Sequence, residues 1–127
     1  MSLTTIRLLV DDIEKCRIFY KEVMGLKGQL SVEGIYYEFS AGDCILALYK
    51  RELMESVAGV VMERGKAGDK VALTFSVADV DATFKEFQAK GVNFVTEPHD
   101  LETWVLRVAH LRDPESNLIE INAPLKK

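Results

Sequence analysis

Two histidines and a glutamate are the side chains of this chain best suited to proton transfer. His110 alternates with Leu106 and Val108 along a predicted strand, which places all three side chains on one face. Glu120 lies in a second predicted strand, and a histidine beside a carboxylate can act as an acid–base pair. His99 falls on a predicted loop, and neither histidine has an evident nucleophile near it in sequence. The sequence therefore offers candidates for acid–base chemistry and none for a hydrolytic triad.

The two cysteines, Cys16 and Cys44, form no CxxC pair. Cys16 lies on the apolar stripe of a predicted helix, as expected of a small core residue. Cys44 begins a predicted strand, and no neighbour in sequence would activate its thiol. We expect both to be free thiols in a reducing cytosol, which excludes a disulfide framework and a cysteine zinc cage.

Composition narrows the class of protein. The 127 residues are 48% hydrophobic and 28% charged, which is typical of one folded domain. With a net charge of −4 the chain has no broad basic field, so we expect no nucleic-acid partner. No apolar run approaches the roughly 20 residues that span a bilayer, and the first residues lack the regions of a signal peptide. We expect a cytoplasmic protein that does not contact membranes.

A repeat divides the chain into two copies. Residues 10–14 (Val-Asp-Asp-Ile-Glu) resemble residues 77–81 (Val-Ala-Asp-Val-Asp) at an offset of 67, and Tyr20 matches Phe87 at the same offset. The two glycines that close these segments, Gly25 and Gly91, are offset by only 66. An apolar run precedes each segment, and each segment contains an aspartate that can cap a helix.

The pattern predicts strand–helix–strand–strand–strand, twice. Apolar residues recur every three or four positions after residue 13 and after residue 80, which predicts one helix in each copy. The predicted strands are Ile6–Val10, Lys27–Val32, Ile35–Ser40 and Cys44–Tyr49, then Val71–Val77, Asn93–Glu97, Trp104–Leu111 and Leu118–Asn122. Within the connector Arg51–Lys70, Leu53–Glu63 predicts a short amphipathic helix and Gly65–Asp69 a polar loop.

This arrangement resembles the vicinal oxygen chelate superfamily, which includes glyoxalase I, bleomycin-resistance proteins, fosfomycin-resistance transferases and extradiol dioxygenases. The resemblance is carried by Val10-Asp11-Asp12-Ile13, Phe19-Tyr20, Gly25-Leu26, Val77-Ala78-Asp79-Val80, Gly91-Val92 and the ending Arg112-Asp113-Pro114-Glu115-Ser116-Asn117-Leu118-Ile119-Glu120. It implies an α+β fold of two βαβββ modules whose curved sheets form a cup, with helices on the convex side. It also implies a homodimer and a single domain over residues 1–127, with modules at about 1–50 and 71–124 and a connector at about 51–70.

The resemblance also implies four metal-ligand positions, one on each of four strands. In this chain those positions carry Thr5, Ala47, Ala72 and Glu120. Alanine has no donor atom, a threonine hydroxyl is a poor ligand, and one carboxylate cannot hold a transition metal against water. The residues therefore predict no metal cofactor, although the family usually has one.

A relocated divalent metal is the alternative. His110 and Glu120 would lie on neighbouring strands of one face, and Glu38 or His99 could supply a third ligand. Histidine nitrogen and carboxylate oxygen would suit several divalent metals. The simpler interpretation of His110 is a hydrogen-bonded residue of a pocket.

The strand faces that the resemblance turns toward the cup carry candidate ligand-binding residues. These are Arg7, Tyr36, Tyr49, Thr74, Trp104, His110 and Glu120. The aromatic side chains suit a planar ligand, although Trp104 would also fit a core or a dimer interface. An inward arginine needs a partner, so we predict that Arg7 pairs with Glu120; alternatively it holds a carboxylate or phosphate of the ligand.

Three functions remain open. The first is a small-molecule binding protein that holds an aromatic or amphipathic compound without a metal, as the bleomycin-resistance branch does. The second is a glyoxalase-type lyase, isomerase, transferase or dioxygenase-like enzyme with a relocated metal, or with His110 and Glu120 as acid and base. The third is an interaction module without a ligand.

Overall fold

The computed structural model of the protein describes residues 1–59, 61, 69 and 71–125. Two compact units divide the chain, residues 1–67 and residues 68–127. Each unit contains one four-stranded mixed sheet. The two units have the same topology, as the sequence repeat predicts.

The first unit follows the predicted order closely. Its elements are β1 (Thr5–Val10), α1 (Ile13–Ile18), a π-turn (Phe19–Val23), β2 (Lys27–Val32), β3 (Tyr36–Ala41), β4 (Cys44–Lys50) and α2 (Arg51–Ala58). The sheet order is β1-β4-β3-β2, with β1 parallel to β4 and the other pairs antiparallel. Asp12 caps α1, since its carboxylate accepts the backbone N–H of Lys15 at 3.1 Å.

The second unit repeats this plan. Its elements are β5 (Ala72–Ser76), α3 (Val80–Ala89), β6 (Phe94–Leu101), a 3-10 turn (Glu102–Trp104), β7 (Leu106–Arg112) and β8 (Leu118–Pro124). The sheet order is β5-β8-β7-β6. The edge strand β5 is parallel to its neighbour β8, and the other pairs are antiparallel. Asp79 caps α3 by accepting the backbone N–H of Ala82 at 3.0 Å.

The apolar stripes of the helices cover one face of each sheet. Tyr20 and Cys16 are fully buried in the first unit. In the second unit the ring centre of Phe84 in α3 lies 4.6 Å from that of Phe94 in β6. Phe94 is on the same sheet face as the buried residues Leu111 and Ile119. Each sheet therefore has a helix-covered face and an opposite face, which we call the open face and which carries most of the predicted site residues.

Helix α1 differs from α3 in a way that the sequence offset explains. The first copy has one residue more than the second between its aromatic residue and its closing glycine. This extra residue coincides with the π-turn Phe19–Val23, where the Met24 N–H reaches the Phe19 carbonyl at 3.1 Å. A π-turn holds one more residue than an α-helical turn, so the helix absorbs the insertion without losing its buried face.

Several predicted boundaries are wrong. Helix α2 covers Arg51–Ala58, because Gly59 ends it in the left-handed region at φ 71°, so the predicted helix Leu53–Glu63 begins and ends too late. Strand β6 continues to Leu101 rather than ending at Glu97. The predicted loop Gly65–Asp69 lies outside the described residues except for Asp69.

None of the helices within the described ranges is long and apolar enough to cross a membrane. Neither cysteine is in a disulfide bond; Cys16 is buried and Cys44 is partly exposed.

Candidate functional site

The open face of the first sheet places Arg7, Ala47 and Glu38 side by side. The strand register pairs Arg7 with Ala47 and Ala47 with Glu38. The next row on the same face pairs Tyr49 with Tyr36, because side chains two residues apart share a face. The sequence-predicted residues Arg7, Tyr36 and Tyr49 thus belong to one cluster.

Arg7 lies over two aromatic rings. Its guanidinium carbon is 5.5 Å from the ring centre of Tyr36 and 5.7 Å from that of Tyr49. The two rings meet edge to face, with centres 5.4 Å apart. Cation–π attraction orients the guanidinium while Arg7 stays exposed to solvent. The result is a preorganised positive group beside flat apolar surface.

Glu38 completes this cluster. Its carboxylate accepts the Tyr36 hydroxyl at 2.6 Å and the Gln29 side-chain amide at 3.1 Å. These hydrogen bonds, that of Tyr36 first, hold the pKa of Glu38 below its ordinary value. Burial, followed by the bond to Glu38, raises the pKa of Tyr36. Sequence reasoning considered Glu38 only as a metal ligand, although period-two alternation already places it on the face of Tyr36.

The open face of the second sheet carries a row of polar side chains. The register aligns Thr74 with Glu120, Glu120 with His110, and His110 with Thr96. Thr74 is exposed at the outer strand, while the other three are partly buried. The structure therefore brings together His110 and Glu120, the two acid–base candidates.

His110 is hydrogen-bonded through both ring nitrogens. Its Nε2 lies 2.9 Å from Glu120 Oε1, and its Nδ1 lies 2.7 Å from Thr96 Oγ1. The second oxygen of Glu120 accepts the Asn122 side-chain amide at 3.0 Å. Thr96 and Asn122 were absent from the sequence-predicted set, because their partners are fixed by cross-strand register.

His99 lies in β6 and not on a loop, which corrects the sequence prediction. It pairs with Val108 of β7, and its ring centre is 6.0 Å from that of His110. Its Nδ1 is 2.8 Å from the backbone carbonyl oxygen of Glu97. The second sheet thus presents two imidazole rings on one face.

Trp104 lies outside the observed strand β7, although the sequence predicts that this strand begins at Trp104. It ends the 3-10 turn before β7, and 73% of its surface is exposed. Val105 follows in the left-handed region at φ 54°, so the chain turns before Leu106 begins β7. The proposed role of Trp104 in binding stays a prediction, now for a side chain on an exposed turn.

Arg7 belongs to the first unit and Glu120 to the second. Within the second unit Glu120 is engaged by His110 and Asn122. The predicted pair between Arg7 and Glu120 stays a prediction.

The family's metal positions do not fit a metal in this chain. Thr5, Ala47 and Ala72 contribute one hydroxyl and two methyl groups, so Glu120 alone has a suitable donor. Among the residues described by the structure, no group of three or more His, Cys, Asp and Glu side chains is arranged to hold a metal ion. Within the second unit the His110–Glu120 pair is close, but among its described residues His99 does not complete such a group.

Known structures define the class to which this fold belongs. A glyoxalase/bleomycin resistance protein/dioxygenase from Nocardioides superimposes with a TM-score of 0.85 at 23% identity, over 99% of this chain and 85% of that one. A glyoxalase/bleomycin resistance protein/dioxygenase family enzyme from Burkholderia phytofirmans PsJN gives the same TM-score at 23% identity, over 98% and 100% of the two chains. The α+β class with two βαβββ modules is thereby confirmed.

The chain belongs to the family described as Glyoxalase-like domain, whose model matches residues 3–126, and so to the vicinal oxygen chelate superfamily. It is 43% identical over 124 residues to a Bacillus subtilis (strain 168) protein named "Uncharacterized protein YraH", covering 95% of this chain and 97% of that one.

Proposed function

We propose that this glyoxalase-like protein binds a small aromatic or amphipathic molecule without a metal cofactor. The observation that carries the proposal is the placement of Arg7 over the rings of Tyr36 and Tyr49 on the open face of the first sheet. A planar ligand would contact the aromatic surface, and an anionic group on it would bind the guanidinium.

The charges of this cluster favour a ligand with a carboxylate or phosphate. Glu38 is already hydrogen-bonded by Tyr36 and Gln29, so its negative charge is stabilised without direct pairing to Arg7. The guanidinium has five N–H donors, and although it also hydrogen-bonds Tyr36, Arg7 stays exposed, so a ligand can reach its other donors. An aromatic carboxylate therefore matches both the apolar and the charged parts of the cluster.

The donor set supports binding without a metal. Three of the four family positions lack a usable ligand atom, and a site that retained only Glu120 would bind a divalent ion no better than an exposed carboxylate. Thr74, Trp104, His110 and Glu120 remain proposed contacts for the ligand.

The first experiment is elemental analysis of the protein after incubation with Mn, Fe, Ni, Co and Zn salts and desalting. We expect less than roughly 0.1 metal per chain, because transition-metal sites need about three protein ligands. Near one metal per chain would contradict the proposal.

The second experiment screens aromatic carboxylates by thermal shift and measures Kd by calorimetry. Arg7→Ala should weaken binding about tenfold, as expected for one charge-assisted contact. Arg17→Ala is the matched control, since Arg17 lies over Tyr37, 5.6 Å from its ring centre, on the helix-covered side. Equal affinity of the Arg7→Ala variant and the unaltered protein would contradict the proposed role of Arg7.

An enzyme is the second candidate, favoured by the 2.9 Å contact between His110 and Glu120. These groups would move a proton next to a carbonyl of the substrate, as glyoxalase-type reactions require. Turnover of a glyoxalase-type substrate that survives metal removal and is lost in Glu120→Gln would favour this function over simple binding.

The proposal also places the protein in the cytoplasm, as a homodimer in which each chain is one domain. Sedimentation equilibrium tests the dimer directly. A mass of one chain, 14.3 kDa, at all concentrations would exclude it.

A further inference from the structure

The two imidazole rings on the open face of the second sheet carry their protons on different nitrogens. The Nδ1 atom of His99 lies 2.8 Å from the Glu97 carbonyl oxygen, which can only accept a hydrogen bond. Nδ1 of His99 must therefore carry the proton. In the neutral ring the lone pair is then on Nε2, and no hydrogen bond among the described residues reaches that atom.

His110 has the opposite arrangement. Its Nε2 faces the Glu120 carboxylate, which accepts, so Nε2 carries the proton. Its Nδ1 faces Thr96 Oγ1, and that oxygen also accepts the backbone N–H of His110 at 3.1 Å. The hydroxyl hydrogen of Thr96 is thereby directed to Nδ1. Both nitrogens of the neutral His110 ring are satisfied within the protein.

A β-bulge accounts for the position of His99. Thr96 pairs with His110 and His99 pairs with Val108, with a register shift between them. Residues three apart in a regular strand point to opposite faces, whereas the extra residue of a bulge turns both to one face. Pro98 lies within this shift and has no N–H to lose from the ladder. The bulge therefore adds a second imidazole to a face that already holds one.

We propose that Nε2 of His99 is the hydrogen-bond acceptor that this face offers to a ligand, and that the ligand presents a hydroxyl or amine N–H to it. His110 is not the acceptor in this assignment, because Thr96 and Glu120 engage both of its ring nitrogens. The assignment of a ligand rests on the proposed function, whereas the assignment of the two tautomers does not.

The tautomers can be read without any ligand. Long-range proton–nitrogen NMR correlation, at a pH where the spectrum shows both rings neutral, should give the Nδ1–H form for His99 and the Nε2–H form for His110. The reverse form at His99 would overturn the proposal. Neither result depends on binding or turnover, so this measurement tests the tautomers independently of the proposed function.

Acylation by diethyl pyrocarbonate tests which nitrogen is available. We expect His99 to react about tenfold faster than His110, whose lone pair is hydrogen-bonded. Trypsin cleavage after Arg107 separates the two histidines into different peptides for mass spectrometry. Thr96→Val, which keeps the shape of the side chain but removes the hydroxyl, should accelerate the reaction at His110 and leave that at His99 unchanged. Equal rates at the two histidines of the unaltered protein would overturn the proposal.

Phenol and anisole form a matched pair of compounds for the ligand step. Phenol has a hydroxyl donor, whereas anisole has a methyl group in place of that hydrogen. Phenol should protect His99 from acylation, and anisole at equal concentration should protect it less. Full reactivity of His99 with phenol present, or equal protection by anisole, would overturn the assignment of a donor-bearing ligand even if the tautomers are as proposed.

Discussion

Arg107 of β7 holds Asp81, in the first turn of α3, through two nitrogen–oxygen contacts of 2.7 and 2.9 Å. A third nitrogen of the same guanidinium contacts Asp100 of β6 at 2.8 Å. One side chain thus joins the start of a helix to two strands. The planar fork of arginine makes this possible, and lysine could not reproduce the paired contacts.

This relationship predicts a pH dependence. The hydrogen bonds from Arg107 are the main reason that the pKa of Asp81 lies below its ordinary value of 3.8. Desolvation raises this pKa by a smaller amount, and the positive charge of Arg107 lowers it further. A lowered carboxyl pKa contributes stability that is complete above the ordinary value and is lost as pH falls through the folded-state value. Arg107→Gln should therefore reduce the free energy of unfolding at neutral pH, and the difference from the unaltered protein should shrink in acid. Urea unfolding across the pH range measures it.

The control for this prediction is Lys90→Gln, which alters a helix-surface pair with Glu86 and does not touch Asp81. A difference between Arg107→Gln and the unaltered protein that stays constant down to strongly acidic pH would contradict the role of Asp81.

A second prediction concerns the hydrogen bond between Tyr36 and Glu38. Because the Tyr36 hydroxyl is the largest cause of the lowered pKa of Glu38, Tyr36→Phe should raise that pKa toward 4.5. Carbon-13 NMR titration of the side-chain carboxyl group measures the change. Tyr37→Phe is a matched control, since the Tyr37 hydroxyl donates to Glu14 at 2.6 Å and lowers the pKa of that residue instead. An unchanged Glu38 titration in Tyr36→Phe would show that the hydrogen bond is absent in solution.

A third prediction concerns the turn between β7 and β8. Ser116 has φ 68°, in the left-handed region. This conformation is strained for any residue that has a Cβ atom. Its neighbours are fixed, because the Asp113 carboxylate accepts the backbone N–H groups of Glu115 and Asn117, both at 2.9 Å. Ser116→Gly should raise the free energy of unfolding by about 0.5 kcal/mol, since relief of strain exceeds the added freedom of the unfolded chain. Ser116→Ala retains the strain and should bring no gain; equal stabilisation by both would refute the explanation.

The order of helices and strands can be predicted from the sequence, because it depends on local patterns of apolar and capping residues. Strand β2 was predicted at its observed bounds, and the helix-capping aspartates were identified, because both depend on local pattern and side-chain chemistry. The site was predicted less completely. Alternation identified Arg7, Tyr36 and His110, but the partners of His110 depend on strand register, which no local pattern encodes.

The errors also have identifiable causes. Trp104 and Val105 are strong strand formers by type, yet Val105 adopts φ 54° and ends a turn. Its carbonyl accepts the backbone N–H of Leu125 at 3.0 Å, a contact between distant parts of the sequence. The predicted strand ends at Glu97, so it does not include the bulge that places His99 in β6.

The exposure of Trp104 gives a fourth prediction. It is the single tryptophan of the chain, and 73% of its surface is accessible, so acrylamide should quench its fluorescence efficiently in the free protein. If Trp104 contacts an aromatic ligand as proposed, a saturating ligand should lower this quenching. Unchanged quenching in the complex would remove Trp104 from the binding site without affecting the role of Arg7, and Arg7→Ala provides the binding-deficient control.

The π-turn Phe19–Val23 lets the two halves of the chain differ in length without differing in sheet order. The first copy has one residue more than the second, which is the change in offset from 67 to 66 between the aromatic residues and the closing glycines. Since the wider turn takes up that residue, the strands that follow pair in the same order in both units although their side chains differ. The same backbone could then carry an arginine–tyrosine cluster in one half and a histidine–glutamate cluster in the other.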